Sequence, residues 1–219
     1  MTSADRPFQF YQICRLTELT GRTAHTVREL RSGLIEAPAA CIFYHTHHAF
    51  LRAHRFVSDF TNDFARWATE AVQQFRLGER LGGVDLLDYT DLEALRAAFV
   101  HILDEDIREN GPRVREAAQD HDFHFVRART IVYPIDPPVR TVEELAAVVK
   151  TVPSDSIFYH FFEARLRPGA QTNDFSHWLF TEAHEPELAM RIERLDPYVL
   201  DLEELRGRML EVLTGGRAA

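Results

Sequence analysis

The tetrapeptide Ile-Phe-Tyr-His occurs twice, at residues 42–45 and 157–160, and each copy sits in a longer match. "IFYHTHHAFLR" (42–52) and "IFYHFFEARLR" (157–167) agree at seven of eleven positions. At the same offset of 115 residues, "TVREL" (26–30) meets "TVEEL" (141–145), Pro38 meets Pro153, and "FQF" (8–10) meets "FHF" (123–125). The offset then falls to 111, where "TNDFARW" (61–67) meets "TNDFSHW" (172–178), and to 110, where "DLEALR" (91–96) meets "DLEELR" (201–206). Matches that keep their order in this way predict a tandem duplication, with units at 8–110 and 123–214 and a linker at 111–122. Two such units are expected to pack about a pseudo-twofold axis, as a homodimer fused into one chain would.

Each unit reads as mainly α. Val27, Leu30 and Leu34 have helical spacing over 26–36, and Thr26 with Glu29 spells a capping box, as do Thr141 and Glu144. Pro38 and Pro153 separate this helix from a second one that carries the repeated "IFYH". A third helix opens at each "TNDF", with Thr61 or Asn62 (Thr172 or Asn173) as cap and an acidic residue in its first turn. The fourth spans about 90–109, with Leu92, Leu95, Phe99, Ile102 and Leu103 on one stripe. The segments "FQFYQICRL" and "FHFVRARTIVYP" alternate and are rich in aromatic and β-branched residues, so a short extended piece is expected before each four-helix set, and the two pieces are expected to pair with each other across the pseudo-twofold.

The bulk properties narrow the function. A net charge of −9 and a pI near 5.6, with a single lysine, argue against nucleic acid or anionic lipid as partner. No apolar run is long enough to span a bilayer, and the first residues carry no basic segment followed by an apolar core, so the expected location is the cytosol. Cys14 and Cys41 have no C-x-x-C neighbour, and a zinc-ribbon reading fails. No phosphate-binding glycine loop and no nucleophile elbow appears.

Within one sequence, the repeat separates shared residues from private ones. His47, His48, His54 and Cys41 face Phe162, Glu163, Gly169 and Ser156 in the other copy. The shared polar set is Tyr44, His45, Arg52, Asn62 and Asp63, matched by Tyr159, His160, Arg167, Asn173 and Asp174. One reading makes these residues a structural network. A buried imidazole takes an aspartate, an arginine pairs with that carboxylate, and a tyrosine packs its ring. A second reading makes them a zinc or iron site. His45 and His48, and likewise His160 and Glu163, lie three residues apart on one helical face. No E-x-x-H pair repeats in both units, which weakens the di-iron form of that idea.

The combination of "IFYH…A.LR" with "TNDF..W" resembles a bacterial family of uncharacterised proteins known only as a domain of unknown function. That resemblance spans both units and implies no activity. The residues support three functional expectations. The first is a non-enzymatic helical module that binds or regulates a protein partner. The second is a metal-dependent hydrolase using the region of His45, His48 and Asp63. The third is a small-ligand sensor with an aromatic pocket at Phe43, Tyr44, Phe158 and Tyr159. No oligomeric state is legible.

Overall fold

In the computed structural model, residues 3–50, 60–111, 115–167, 169–170, 172–196 and 200–215 are described. Two long strands, β1 (Phe8–Ala24) and β2 (Phe123–Val139), pair with each other as a two-stranded sheet. Gln9 bonds to the Ile135 carbonyl, Glu18 pairs with Arg127, and Thr20 bonds to the Phe125 carbonyl. Partner numbers fall as β1 advances, so the ladder is antiparallel.

Ten α-helices accompany the sheet among the described residues. They are α1 (Val27–Glu36), α2 (Ala39–Phe43), α3 (Asp63–Glu70), α4 (Phe75–Gly82), α5 (Leu92–Asn110), α6 (Val142–Val149), α7 (Ser154–Phe161), α8 (Asp174–Thr181), α9 (Pro186–Glu193) and α10 (Leu202–Leu213). A π-helical turn, Tyr44–His48, continues α2. No helix among the described residues is long and apolar enough to cross a membrane.

This architecture is α+β and corrects the expectation of a mainly α, all-α tandem repeat of four-helix units about a pseudo-twofold axis. The extended segments are 17-residue strands. One compact unit is a continuous stretch of chain and the other is assembled from two segments, because β1 and β2 pair with each other from far apart in sequence. One unit contains residues 15–130 and the other contains residues 3–14 with 131–215. Each strand is divided between them, at 14/15 and at 130/131. Among the described residues each unit has five α-helices rather than four. The segment that opens at "TNDF" is followed by a further helix, and between the two lies a residue in the left-handed region, Gln73 (φ 57°) or His184 (φ 57°).

Local signals set the helix ends. Thr26 and Thr141 form complete capping boxes with Glu29 and Glu144. Asn62 and Asn173 accept from the amides of Ala65 and Ser176. In the 15–130 unit, Leu30, Leu34, Ile42, Phe64, Phe99 and Phe125 form the centre of the core. In the other unit Phe10, Leu145, Phe158, Phe161, Phe175 and Leu205 do so. Each such side chain stabilises its unit by roughly 1.5–3 kcal/mol through burial.

Candidate functional site

His45 leaves the π turn and points into the core of the 15–130 unit, where it is 3% exposed. Its Nδ1 lies 2.9 Å from Asp63 Oδ2, and its Nε2 lies 2.9 Å from the backbone nitrogen of Val126 on β2. A backbone N–H only donates, so Nε2 accepts and the ring proton sits on Nδ1, directed at the carboxylate. Arg66 holds the other Asp63 oxygen at 2.9 Å. The ring is enclosed by Phe64, Phe123 and Phe125.

The other unit repeats the arrangement. His160, 1% exposed, donates from Nδ1 to Asp174 Oδ2 at 2.7 Å and accepts at Nε2 from the Tyr11 amide on β1 at 3.1 Å. Burial pushes the His160 pKa down and keeps the ring neutral, although the Asp174 hydrogen bond opposes that shift. Arg167 reaches both Asp174 oxygens from Nη1, and its guanidinium lies 4.3 Å over the Tyr159 ring. Arg52, the matching arginine, and His54 lie outside the described residues.

The remaining candidates have local roles. Asn62 caps α3 and donates to the Leu81 carbonyl, and Asn173 caps α8 and donates to Ser176. Tyr44 packs against the rings of His45 and His48. Glu163 opens a 3-10 turn. No three His, Cys, Asp or Glu side chains gather in a metal-holding group among the described residues. His47 is buried against Phe43 and bonded to the Thr46 hydroxyl, and burial lowers its pKa to about 4. Phe43 and Tyr44 belong to one compact unit, Phe158 and Tyr159 to the other.

Two features were not visible as candidates in the sequence. The first is the backbone acceptor role of each histidine, since an amide has no letter of its own. The second is the pair Arg96 and Arg206, whose side chains reach back to the carboxyl ends of α1 and α6. A signal was present, because both arginines end the repeated "DLE.LR".

Residues 5–214 match the model of a family of unknown function, DUF5752. The chain belongs to DUF5752. A solved structure, OrfY from Thermoproteus tenax, is 30% identical to it, with a TM-score of 0.80, covering 100% of this chain and 99% of that one. No protein with a curated description matches the chain. DUF5752 membership names no reaction, so the chemistry rests on the residues above.

Proposed function

We propose that this chain is a non-enzymatic binding or regulatory module that docks a protein partner. The observation that carries the reading is a groove of about 600 Å³ at α8 and α9, where Phe180 and Met190 stand 62% and 52% exposed. Large side chains this exposed, gathered in one groove, are the usual mark of an interaction surface. Among the described residues that line the groove, Asp174 and Glu193 are acidic and none is Lys or Arg. An amphipathic helix with apolar anchors and basic flanks complements that lining. Methionine adapts its shape to such a ligand.

A hydrolase centred on His45 and Asp63 has less support. Both ring nitrogens of His45 hold the fold, one on Asp63 and one on the Val126 amide. A metal or a substrate would have to displace a buried hydrogen bond to reach either. Cys14 and Cys41 are unpaired, which suits the reducing cytosol where we place the protein.

The test is selection of binders from a displayed library of amphipathic helices against the purified chain. The expected binders carry Lys or Arg flanks and lose affinity for Phe180→Asp and for Met190→Lys. Binders that hold both variants as tightly as the natural chain, or a library that yields none, would reject the reading.

A further inference from the structure

The 15–130 unit has a second opening, a cleft of about 520 Å³ beside α3. That volume falls within the range of small-molecule sites. Its floor is the closed network of His45 and Asp63, with Tyr44, Trp67 and Phe123 supplying apolar surface. Two hydrogen bonds hold its walls together. The Trp67 indole donates to the His121 carbonyl at 2.8 Å, and the Ala118 amide donates to the Ala71 carbonyl at 3.0 Å. Glu70 and His121 both line the cleft.

Most charges on the cleft are already matched. Asp63 is held by Arg66 and His45. Asp122 lies 2.7 Å from His25 Nδ1, and that hydrogen bond raises the His25 pKa. Glu70 is different, because it makes no hydrogen bond or ion pair among the described residues. The His124 ring makes none either. His121 donates from Nδ1 to the Gln119 carbonyl at 2.8 Å, which leaves its Nε2 as a bare acceptor. The lining carries three carboxylates, Asp63, Glu70 and Asp122, against one guanidinium, Arg66. Glu70 and His124 match Thr181 and Gln9 in the sequence comparison, and His121 lies in the 111–122 segment outside it, so these groups are not required by the shared framework.

We propose that the cleft binds a small organic cation, an amine or guanidine compound. Its N–H groups are taken by the Glu70 carboxylate and by Nε2 of His121. Its carbon body lies against Tyr44 and Trp67, where aromatic rings also favour a cation. An anion is disfavoured here, because Asp63, Glu70 and Asp122 stand against the single guanidinium of Arg66, and the His121 Nδ1 donor is engaged by Gln119. A bare metal ion finds no group of three ligating side chains among the described residues. The inference is independent of the α8–α9 groove and stands or falls separately.

Calorimetric titration of the full chain at low ionic strength tests it, with agmatine and putrescine as probes and sorbitol, acetate and phosphate as controls. Saturable binding of at least one amine is expected, weakening as salt is added. Glu70→Gln is expected to weaken that binding about tenfold or more, through loss of a charge-assisted bond. The thermal midpoint of this variant stays at the natural value, since Glu70 holds no other group. No saturable heat from either amine, equal binding by Glu70→Gln, or binding of acetate or phosphate in place of the amines would overturn the proposal.

Discussion

His47 lies parallel to Phe43, with ring centroids 5.7 Å apart and planes 9° from parallel. At the aligned positions of the other unit, Phe162 stacks on Phe158 at 4.8 Å. One unit thus buries an imidazole where the other buries a benzene ring. The imidazole is paid for in acid. Its folded pKa of about 4 lies below the ordinary histidine value of 6.5. Between those values the unfolded chain binds a proton that the folded chain refuses, so stability falls as pH drops from about 6.5 towards 4. At pH 5 the expected loss is about 2 kcal/mol relative to pH 8. His160 adds to the loss in the same direction, because burial lowers its pKa too. His47→Phe is expected to flatten much of this slope in urea midpoints measured from pH 8 to pH 5. An unchanged slope in that variant would assign the acid sensitivity elsewhere.

Removing His45 strips three groups of a partner. The Val126 amide loses its acceptor, Asp63 loses a donor, and the aromatic enclosure keeps a hole. His45→Ala is expected to cost about 3 kcal/mol. Asp63→Asn still offers an oxygen to Nδ1 and is expected to cost about 1 kcal/mol. Amide exchange gives a local readout. The Val126 amide should lose protection in His45→Ala more than its neighbours on β2 do, and equal protection before and after would show that the imidazole is not its acceptor.

Gly33 is a helical glycine whose role is closeness. A Cβ there would stand 2.3 Å from Cζ of Phe125, a ring that is itself fully buried. Gly33→Ala is therefore expected to lose about 1–3 kcal/mol despite alanine's better helix propensity. Shortening the facing ring relieves the clash, so adding Phe125→Leu should cost less in the Gly33→Ala background than in the natural one. Additive losses in that cycle would mean the two positions do not touch.

Much of the local design was legible. Thr26 with Glu29, Asn62 and Asn173 cap helices where the letters say they should, because a cap is a contact over three residues. The pairing of His45 with Asp63 was raised from shared spacing alone, and the two side chains do meet. The strands were underestimated for a physical reason. The extended segment read from the sequence stops at Pro134, yet β2 continues through Pro137 and Pro138 to Val139. A two-stranded ribbon has an outer edge on each strand, and there a missing N–H removes no ladder bond. Gln73 and His184 hide the opposite error, since each takes a left-handed conformation with neither glycine nor proline to announce it. The partner of each strand was legible from the matched segments, which were expected to pair with each other, and β1 and β2 do pair.

Arg96 ties a helix end to a distant helix. Its Nη1 donates to the carbonyls of Leu34 and Ala37, the latter at 2.5 Å, at the carboxyl end of α1. Its Nε and Nη2 grip Glu93 at 2.8 and 3.0 Å. Arg206 does the same for α6, with Nη1 on the Val149 carbonyl at 2.5 Å and Nε on Glu203 at 2.8 Å. Helix ends leave carbonyls without intrahelical donors and carry partial negative charge, so a guanidinium meets both needs. The planar fork matters, because one edge binds the glutamate while another nitrogen reaches the carbonyls. Lysine has a single point of donation and cannot span both. Arg96→Lys is thus expected to lose about 1–2 kcal/mol, close to the loss in Arg96→Met. Arg206→Lys should behave alike, and the double variant should lose the sum, since the two arginines share no partner. Urea midpoints of the four variants decide the matter: a lysine chain as stable as the natural one would show that charge alone, and not the fork, closes these helix ends.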